Sequence, residues 1–436
     1  MKSFRITFLA SLAVVFSCSK VYLEERIEIS SPEPQNAISK ITLTDIQKGY
    51  VKAGNAFAFN CLKELNDSFD GTFVFSPLSL QYALAMATNG ASGETADEIT
   101  GVLGYGSDIK ALNEYCNLLL NQLPAVDTDI TLRLLDAILV NDKFEVQDSY
   151  KNLINNSYYA PVEYIKTADK DYVVNRINEW ASRNTHGLIP SLLDKTDLSD
   201  NFAAAILNGI YFKAKWWGNE YNPMFLPEET IKNQPFYYDG GGEGKVDYMI
   251  RDGWRLPYCV KNGYRVVGIP YSSEKYYFYI ILPDEKGTNG LKNTVDKLKN
   301  TSWNDIQSSL QIKPQVYLRL PKFEAENKFY LKDALVSLGI RKAFTKGEAE
   351  FDNLFKTNDS NWYFWIENAI QKAKISVTEY GTEAAAVTHI EIAGATDPGP
   401  GELPEEVEFY ADHPFVYVIG EKTSGTILFE GIFDGK

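Results

Sequence analysis

The stretch Gly381-Thr382-Glu383-Ala384-Ala385-Ala386-Val387-Thr388-His389-Ile390-Glu391-Ile392-Ala393-Gly394-Ala395 offers a chemistry that belongs to the backbone. Sorted by strand alternation, one face holds Thr382, Ala384, Ala386, Thr388, Ile390 and Ile392, and the other Glu383, Ala385, Val387, His389 and Glu391. The first face is uncharged and begins with small side chains, so the segment can slot into a sheet with one side buried. It runs straight into Thr396-Asp397-Pro398-Gly399-Pro400-Gly401-Glu402-Leu403-Pro404, a loop sequence. An edge strand followed by a surface loop, or a turn of Ala-rich helix, is the plainer reading of the same residues.

Side-chain chemistry is scarce by comparison. Only three histidines exist (His186, His389 and His413), so a multi-histidine metal site is not expected. No His-Glu-x-x-His, Cys-x-x-Cys or Gly-x-Ser-x-Gly pattern occurs. The run Gly240-Gly241-Gly242-Glu243-Gly244-Lys245 fails as a phosphate loop. Asp239 stands where the first required Gly would be, Val246 stands at the Ser/Thr position, and a hairpin tip is expected instead. Acids are plentiful but scattered, and a glycosidase pair is defined by a spatial separation that sequence does not supply. Nothing in these patterns supports an enzyme, a metal or a cofactor.

Lys plus Arg number 43 and Asp plus Glu 58, a net charge of −15, which argues against nucleic acid or an anionic membrane surface as the main partner. Hydrophobic residues at 44% exclude a disordered chain, and 13% aromatics favour broad sheets.

Lys2 and Arg5 precede an apolar run from Ile6 to Phe16, too short to span a bilayer as a helix and suited to a secretory leader. The run ends in Val15-Phe16-Ser17-Cys18-Ser19, similar to a bacterial lipoprotein cleavage box with Cys18 as the lipidated residue. A plain signal peptide with an incidental Cys is the alternative. Loss of the leader with Lys2 and Arg5 takes the net charge to −17. Residues 19–43, with Ser30-Ser31-Pro32-Glu33-Pro34, read as a flexible tether. Cys61, Cys116 and Cys259 are odd in number and widely spaced, so they read as buried thiols and not as a disulfide framework.

Elements must position the 381–395 segment. Periodicity predicts helices over 44–65, 79–89, 94–103, 173–184 and 328–338. Strands are expected over 72–75, 130–140, 203–212, 265–270, 276–282, 362–377, 415–419 and 426–433. No repeat and no shift in composition appears, so one α+β domain of roughly 390 residues is expected.

An ordered set of blocks resembles the serpin family from about Thr44 to the C-terminus. The blocks are Phe73-Val74-Phe75-Ser76-Pro77-Leu78-Ser79 through Gly90-Ala91-Ser92-Gly93-Glu94-Thr95, and Asn178-Glu179-Trp180 through Thr185-His186-Gly187-Leu188-Ile189. They continue with Leu207-Asn208-Gly209-Ile210-Tyr211-Phe212-Lys213-Ala214-Lys215-Trp216, Leu320-Pro321-Lys322-Phe323, Gly381–Ala386, Ala411-Asp412-His413-Pro414-Phe415 and Ile427-Leu428-Phe429-Glu430-Gly431. The resemblance implies the serpin fold, α+β with a large central sheet, further sheets, a helical shell and an exposed reactive loop at about 381–408. Together with the reading of the N-terminal residues, it divides the chain into a leader (1–17), an anchor and tether (18–43) and a serpin domain (44–436).

In the family a serine protease attacks the loop and is trapped as an acyl-enzyme while the cleaved loop inserts into the central sheet. A central strand of about a dozen residues makes on the order of 10–20 ladder hydrogen bonds at ~1 kcal/mol net each, which rivals a protease's stability of ~5–15 kcal/mol. Carried onto this chain, Gly381 is the hinge, Thr382 starts the insertion face, Glu383 lies opposite, and Ala384, Ala385 and Ala386 keep the path slim. Glu379 and Lys322 match a salt bridge at the top of the sheet, and Trp216 a tryptophan beneath the loop's point of insertion. Ser76, Ser79 and Asn208 match a polar cluster under the opening strands, where Gln371 replaces a frequent His. The scissile bond falls at Ala395–Thr396.

No Lys or Arg lies between Glu379 and Lys422 and no Phe, Tyr or Trp between Gly381 and Glu408, so the expected partners are elastase-like or subtilisin-like serine proteases. Activation by heparin is not expected, since residues 101–122 hold one Lys and no Arg. The implied protein is a monomer in the cell envelope, an outer-membrane lipoprotein or secreted, touching membrane only through its lipid. A non-inhibitory serpin, or an aromatic-rich lipoprotein that binds glycans, are the alternatives.

Overall fold

Thr44 caps the first helix from both sides. Its hydroxyl accepts the Gln47 N–H while the Gln47 side chain accepts the Thr44 N–H, and α1 (Asp45–Ser68) buries Phe57, Cys61 and Leu65 below that cap. The computed structural model describes residues 37–165, 169–198, 203–219, 221–287, 289–356, 362–382 and 405–436. Ser76 caps α2 (Pro77–Gly90), which starts two residues before the expected helix because Pro77 fits its first turn. Helices α3 (Gly93–Leu103), α4 (Ile109–Val126), α5 (Asp148–Tyr158) and α6 (Lys170–Asn184) follow. The αL conformation of Gly104 ends α3.

Two large sheets form the body. One has nine strands, ordered Phe73–Phe75, Ile427–Phe433, Phe415–Glu421, Tyr276–Pro283, Tyr264–Pro270, Glu243–Lys261, Gln311–Pro321, Glu406–Tyr410, with Ile231–Tyr237 also on Glu243–Lys261. All eight residues of Tyr276–Pro283 are buried, as the unbroken apolar run predicts. The Gly240–Gly242 run forms the turn between Ile231–Tyr237 and Glu243–Lys261, a hairpin tip as expected.

The central sheet comprises β1 (Thr131–Asn141), β2 (Val162–Ile165), β3 (Ala204–Lys215), β4 (Phe323–Tyr330), β5 (Ile370–Thr378) and β6 (Gly381–Thr382), in the order β4-β5-β6-β3-β1-β2. β1 and β3 pair antiparallel over their length, with Asp136 opposite Asn208. β4 and β5 pair antiparallel from Phe323↔Val377 to Tyr330↔Ile370. The two residues of β6 sit between β5 and β3, antiparallel to both. Among the described residues, β3 and β5 have no pairing with each other.

One core cluster spans α1 to α5 and both sheets, and a smaller one packs Val173, Ile177 and Trp180 of α6 onto Ala137, Leu139 and Leu207 on the other face of β1 and β3.

Two expected elements differ. Lys328–Tyr330 ends strand β4, because pairing with β5 outweighs the local helical period, and the helix starts only at Lys332. In 362–377 the strand begins at Ile370; before it, Trp362 and Phe364 turn onto Phe144 and Phe355, so these rings pack a loop instead of a ladder.

Candidate functional site

The site lies where β6 enters the central sheet. Gly381 takes φ +137°, and a Cβ there would stand 2.0 Å from the Ala214 carbonyl oxygen, so only glycine lets the chain pass so close to β3. Thr382 follows, 3% exposed, with its hydroxyl 2.5 Å from that of Tyr271. Tyr271 in turn stacks on Trp216, ring centroids 4.8 Å apart and 6° from parallel. The Trp216 indole N–H donates to the Thr378 carbonyl at 2.7 Å, tying the end of β5 to the end of β3.

Two residues before the hinge, Glu379 is buried and carries an ion pair with Lys322 at 2.9 Å. Burial would raise its pKa, but the Thr230 hydroxyl, donating at 2.7 Å, and Lys322 together hold it below the usual carboxylate range. Glu379 therefore anchors the strand end as a charged group at neutral pH.

Deeper in the sheet, a hydrogen-bond chain spans the unpaired strands. Gln371 of β5 accepts the Ser76 N–H at 2.8 Å and donates to the Ser76 carbonyl at 2.9 Å. The Ser76 hydroxyl donates to Leu428 O at 2.8 Å and accepts the Ser79 N–H at 3.2 Å, which caps α2. The Ser79 hydroxyl donates to the side-chain oxygen of Asn208 on β3, and the Asn208 amide donates to Asp136 on β1. Below the level of β6 a cavity of about 250 Å³ opens between the 203–208 end of β3 and residues 363–371, with Ser79, Leu80 and Leu84 of α2 as its floor.

The structure thus brings together Trp216, Lys322, Glu379, Gly381 and Thr382 at the top of the sheet, and Ser76, Ser79, Asn208 and Gln371 beneath it. Gln371 meets both hydrogen-bonding needs of Ser76 without an imidazole. Glu383, Ala384, Ala385, Ala386, Ala395, Thr396 and Cys18 lie outside the described residues. Cys61, Cys116 and Cys259 are buried free thiols. No group of three or more His, Cys, Asp or Glu suited to a metal occurs among the described residues.

Sequence reasoning missed Tyr271, Thr230 and Asp136. For Asp136 a signal was present, a lone acid inside the otherwise apolar run Leu134 to Val140. Tyr271 and Thr230 have none, because their partners are 111 and 149 positions away.

The family profile described as Serpin (serine protease inhibitor) matches residues 52–434. Iripin-2 of Ixodes ricinus is 32% identical over 391 residues, covering 87% of this chain and 92% of its own. The crystal structure of Serpin48, described as a highly specific serpin in the insect Tenebrio molitor, superposes with a TM-score of 0.77 at 27% identity, covering 91% of this chain and 100% of its own. A thyroxine-binding globulin solved with thyroxine shares the fold, with a TM-score of 0.73 at 24% identity over 88% of this chain and 98% of its own.

Proposed function

The chain belongs to the serpin family, and we propose that it is an inhibitory member, a suicide substrate that traps serine proteases by inserting its cleaved loop between β3 and β5. The observation that carries this is the seating of β6: two residues already lie between the two strands, and below them the strands have no pairing with each other. On insertion in the same register, Thr388 would come opposite Asn208 on β3 and Gln371 on β5, two residues that line the cavity. Insertion would fill that space and satisfy both free strand edges. Thr382 points its hydroxyl into the body, which supports assigning the uncharged face to the interior.

The proposed scissile bond is Ala395–Thr396, attacked by proteases with a shallow pocket, elastase-like or subtilisin-like. Incubation with a panel of serine proteases tests this. The expected result is an SDS-stable adduct with an elastase-like enzyme, none with trypsin, and a released peptide that begins at Thr396. Cleavage without an adduct by every protease would mean a non-inhibitory serpin; the thyroxine-binding globulin shows how far the fold travels. We further propose that Cys18 carries a lipid holding the protein on the cell envelope, which intact-mass analysis of membrane-extracted protein checks.

A further inference from the structure

Asp136 sits in the middle of β1, 1% exposed, facing the main core beneath the central sheet together with Leu132, Leu134 and Ile138. One carboxylate oxygen accepts from Asn208; the other has no hydrogen-bond partner among the described residues. The titratable groups that face it are Tyr82 from α2, Cys116 from α4 and Tyr158 from α5, with neutral Asn208 from β3. None is cationic. Arg133, on the same strand, falls on the opposite face by alternation, as does Tyr211 of β3, which meets His186.

We propose that Asp136 is a proton-sensitive positioning residue for loop insertion: as a neutral acid it keeps Asn208 and the free edge of β3 closed against α2, and as a carboxylate it favours opening of the slot between β3 and β5. The proposal rests on the inhibitory reading above.

Geometry supplies the coupling. Asn208, which holds Asp136, and Ser79, which holds Asn208, both line the cavity between the strands. Water that enters as the slot widens therefore comes within one side chain of the carboxyl group. A carboxylate gains from that hydration and a neutral acid gains little, so the open state binds the proton less tightly than the closed one. Linkage then requires that losing the proton shifts the population towards opening.

The buried environment places the titration where it matters. Burial, opposed by the Asn208 hydrogen bond, pushes the Asp136 carboxyl up to about 7. Burial also raises Tyr82 and Tyr158 well above their ordinary values and lifts Cys116 to about 12, so these neighbours stay neutral throughout. Gln371 cannot titrate. Within the Gln371-to-Asp136 chain, the acid alone changes charge near neutral pH.

Spontaneous conversion of the full-length, uncleaved chain to its loop-inserted form, followed by native gel at a fixed elevated temperature, tests this without a protease whose own histidine titrates. Between about pH 5.5 and 8.5 the wild-type rate is expected to rise several-fold with a midpoint near 7, and Asp136→Asn to be flat. Equal pH profiles in the two proteins overturn the role of Asp136 while leaving inhibition intact. If neither protein converts and loop cleavage brings no gain in stability, the inhibitory reading falls and takes this proposal with it. Infrared spectroscopy of the wild type adds a readout that needs no variant to fold. Its buried carboxylic-acid C=O absorption, to which Glu430 also contributes, must lose intensity across the same pH interval, and an absorption constant from pH 5.5 to 8.5 overturns the proposal.

Discussion

Thr382 is a residue whose burial gives a direct handle on insertion. Its side chain is 3% exposed and bonded to Tyr271, so Thr382→Arg forces an unpaired guanidinium under the sheet, a cost of several kcal/mol. Insertion should slow by at least about tenfold while deacylation continues. The stoichiometry of inhibition should then rise steeply, with the protease released active. Glu383→Arg, on the opposite face by alternation, should leave the stoichiometry nearly unchanged, and an equal loss in both variants would refute the face assignment.

Glu430 is the second residue to isolate. It is fully buried between Phe75 and Val418, neither of its carboxyl oxygens has a hydrogen-bond partner among the described residues, and burial raises its pKa well above the ordinary value. A group with a raised folded pKa binds its proton more tightly when folded. Its destabilising effect is absent below the unfolded pKa of ~4.3 and grows as pH rises through the folded one. Glu430→Met should therefore stabilise the native state by roughly 1–3 kcal/mol at pH 7. The gain should shrink towards acid pH, where the ionisation part is lost; urea titrations at both pH values measure it.

At the scale of elements, the pairing gap between β3 and β5 has a measurable counterpart. Below β6, their facing edges have no ladder partners among the described residues. After loop cleavage, hydrogen exchange should slow in residues 204–213 and 370–376, where the extended register adds rungs, and change little in β4 or β2. Slowing confined to the top two rungs would mean that the loop stops at β6. The Gln371–Ser76–Ser79–Asn208–Asp136 chain tells against a passive gap: α2 joins the two strands from below, so insertion passes over a fixed polar floor. The indole bond of Trp216 to Thr378 braces the same two strands from above, and the ion pair of Lys322 with Glu379 ties the end of β5 to the start of β4.

For the whole molecule, the proposed insertion of the loop as a further strand predicts metastability. Filling the gap adds on the order of ten ladder bonds at ~1 kcal/mol each. A chain of this size should then melt on the order of 10–20 °C higher after its loop is cut. An ordinary nicked loop would lower the melting temperature or leave it unchanged, since a nick frees chain entropy. Melts before and after limited proteolysis in the 388–404 region separate the two outcomes.

Local chemistry in the sequence was enough to place α1, α3 and the buried strand Tyr276–Pro283, because capping residues, a stop at Gly104 and an unbroken apolar run act over a few positions. The same locality made Gly381 and Thr382 recognisable from the run of small residues behind them. Locality failed where distant strands compete. Lys328–Tyr330 looks helical alone but joins β4 because β5 offers a full ladder, and Trp362–Ala369 lacks a neighbour to pair with. Trp216 and the cluster of Gln371 with Ser76 could be named from resemblance, yet the Thr378 partner of Trp216 is set by how the strands pack. Asp136 shows the division most clearly. The sequence displays an acid in an apolar strand, but only the packing of α2, α4, α5 and β3 around it removes water and counter-charge, and that environment decides its proton affinity.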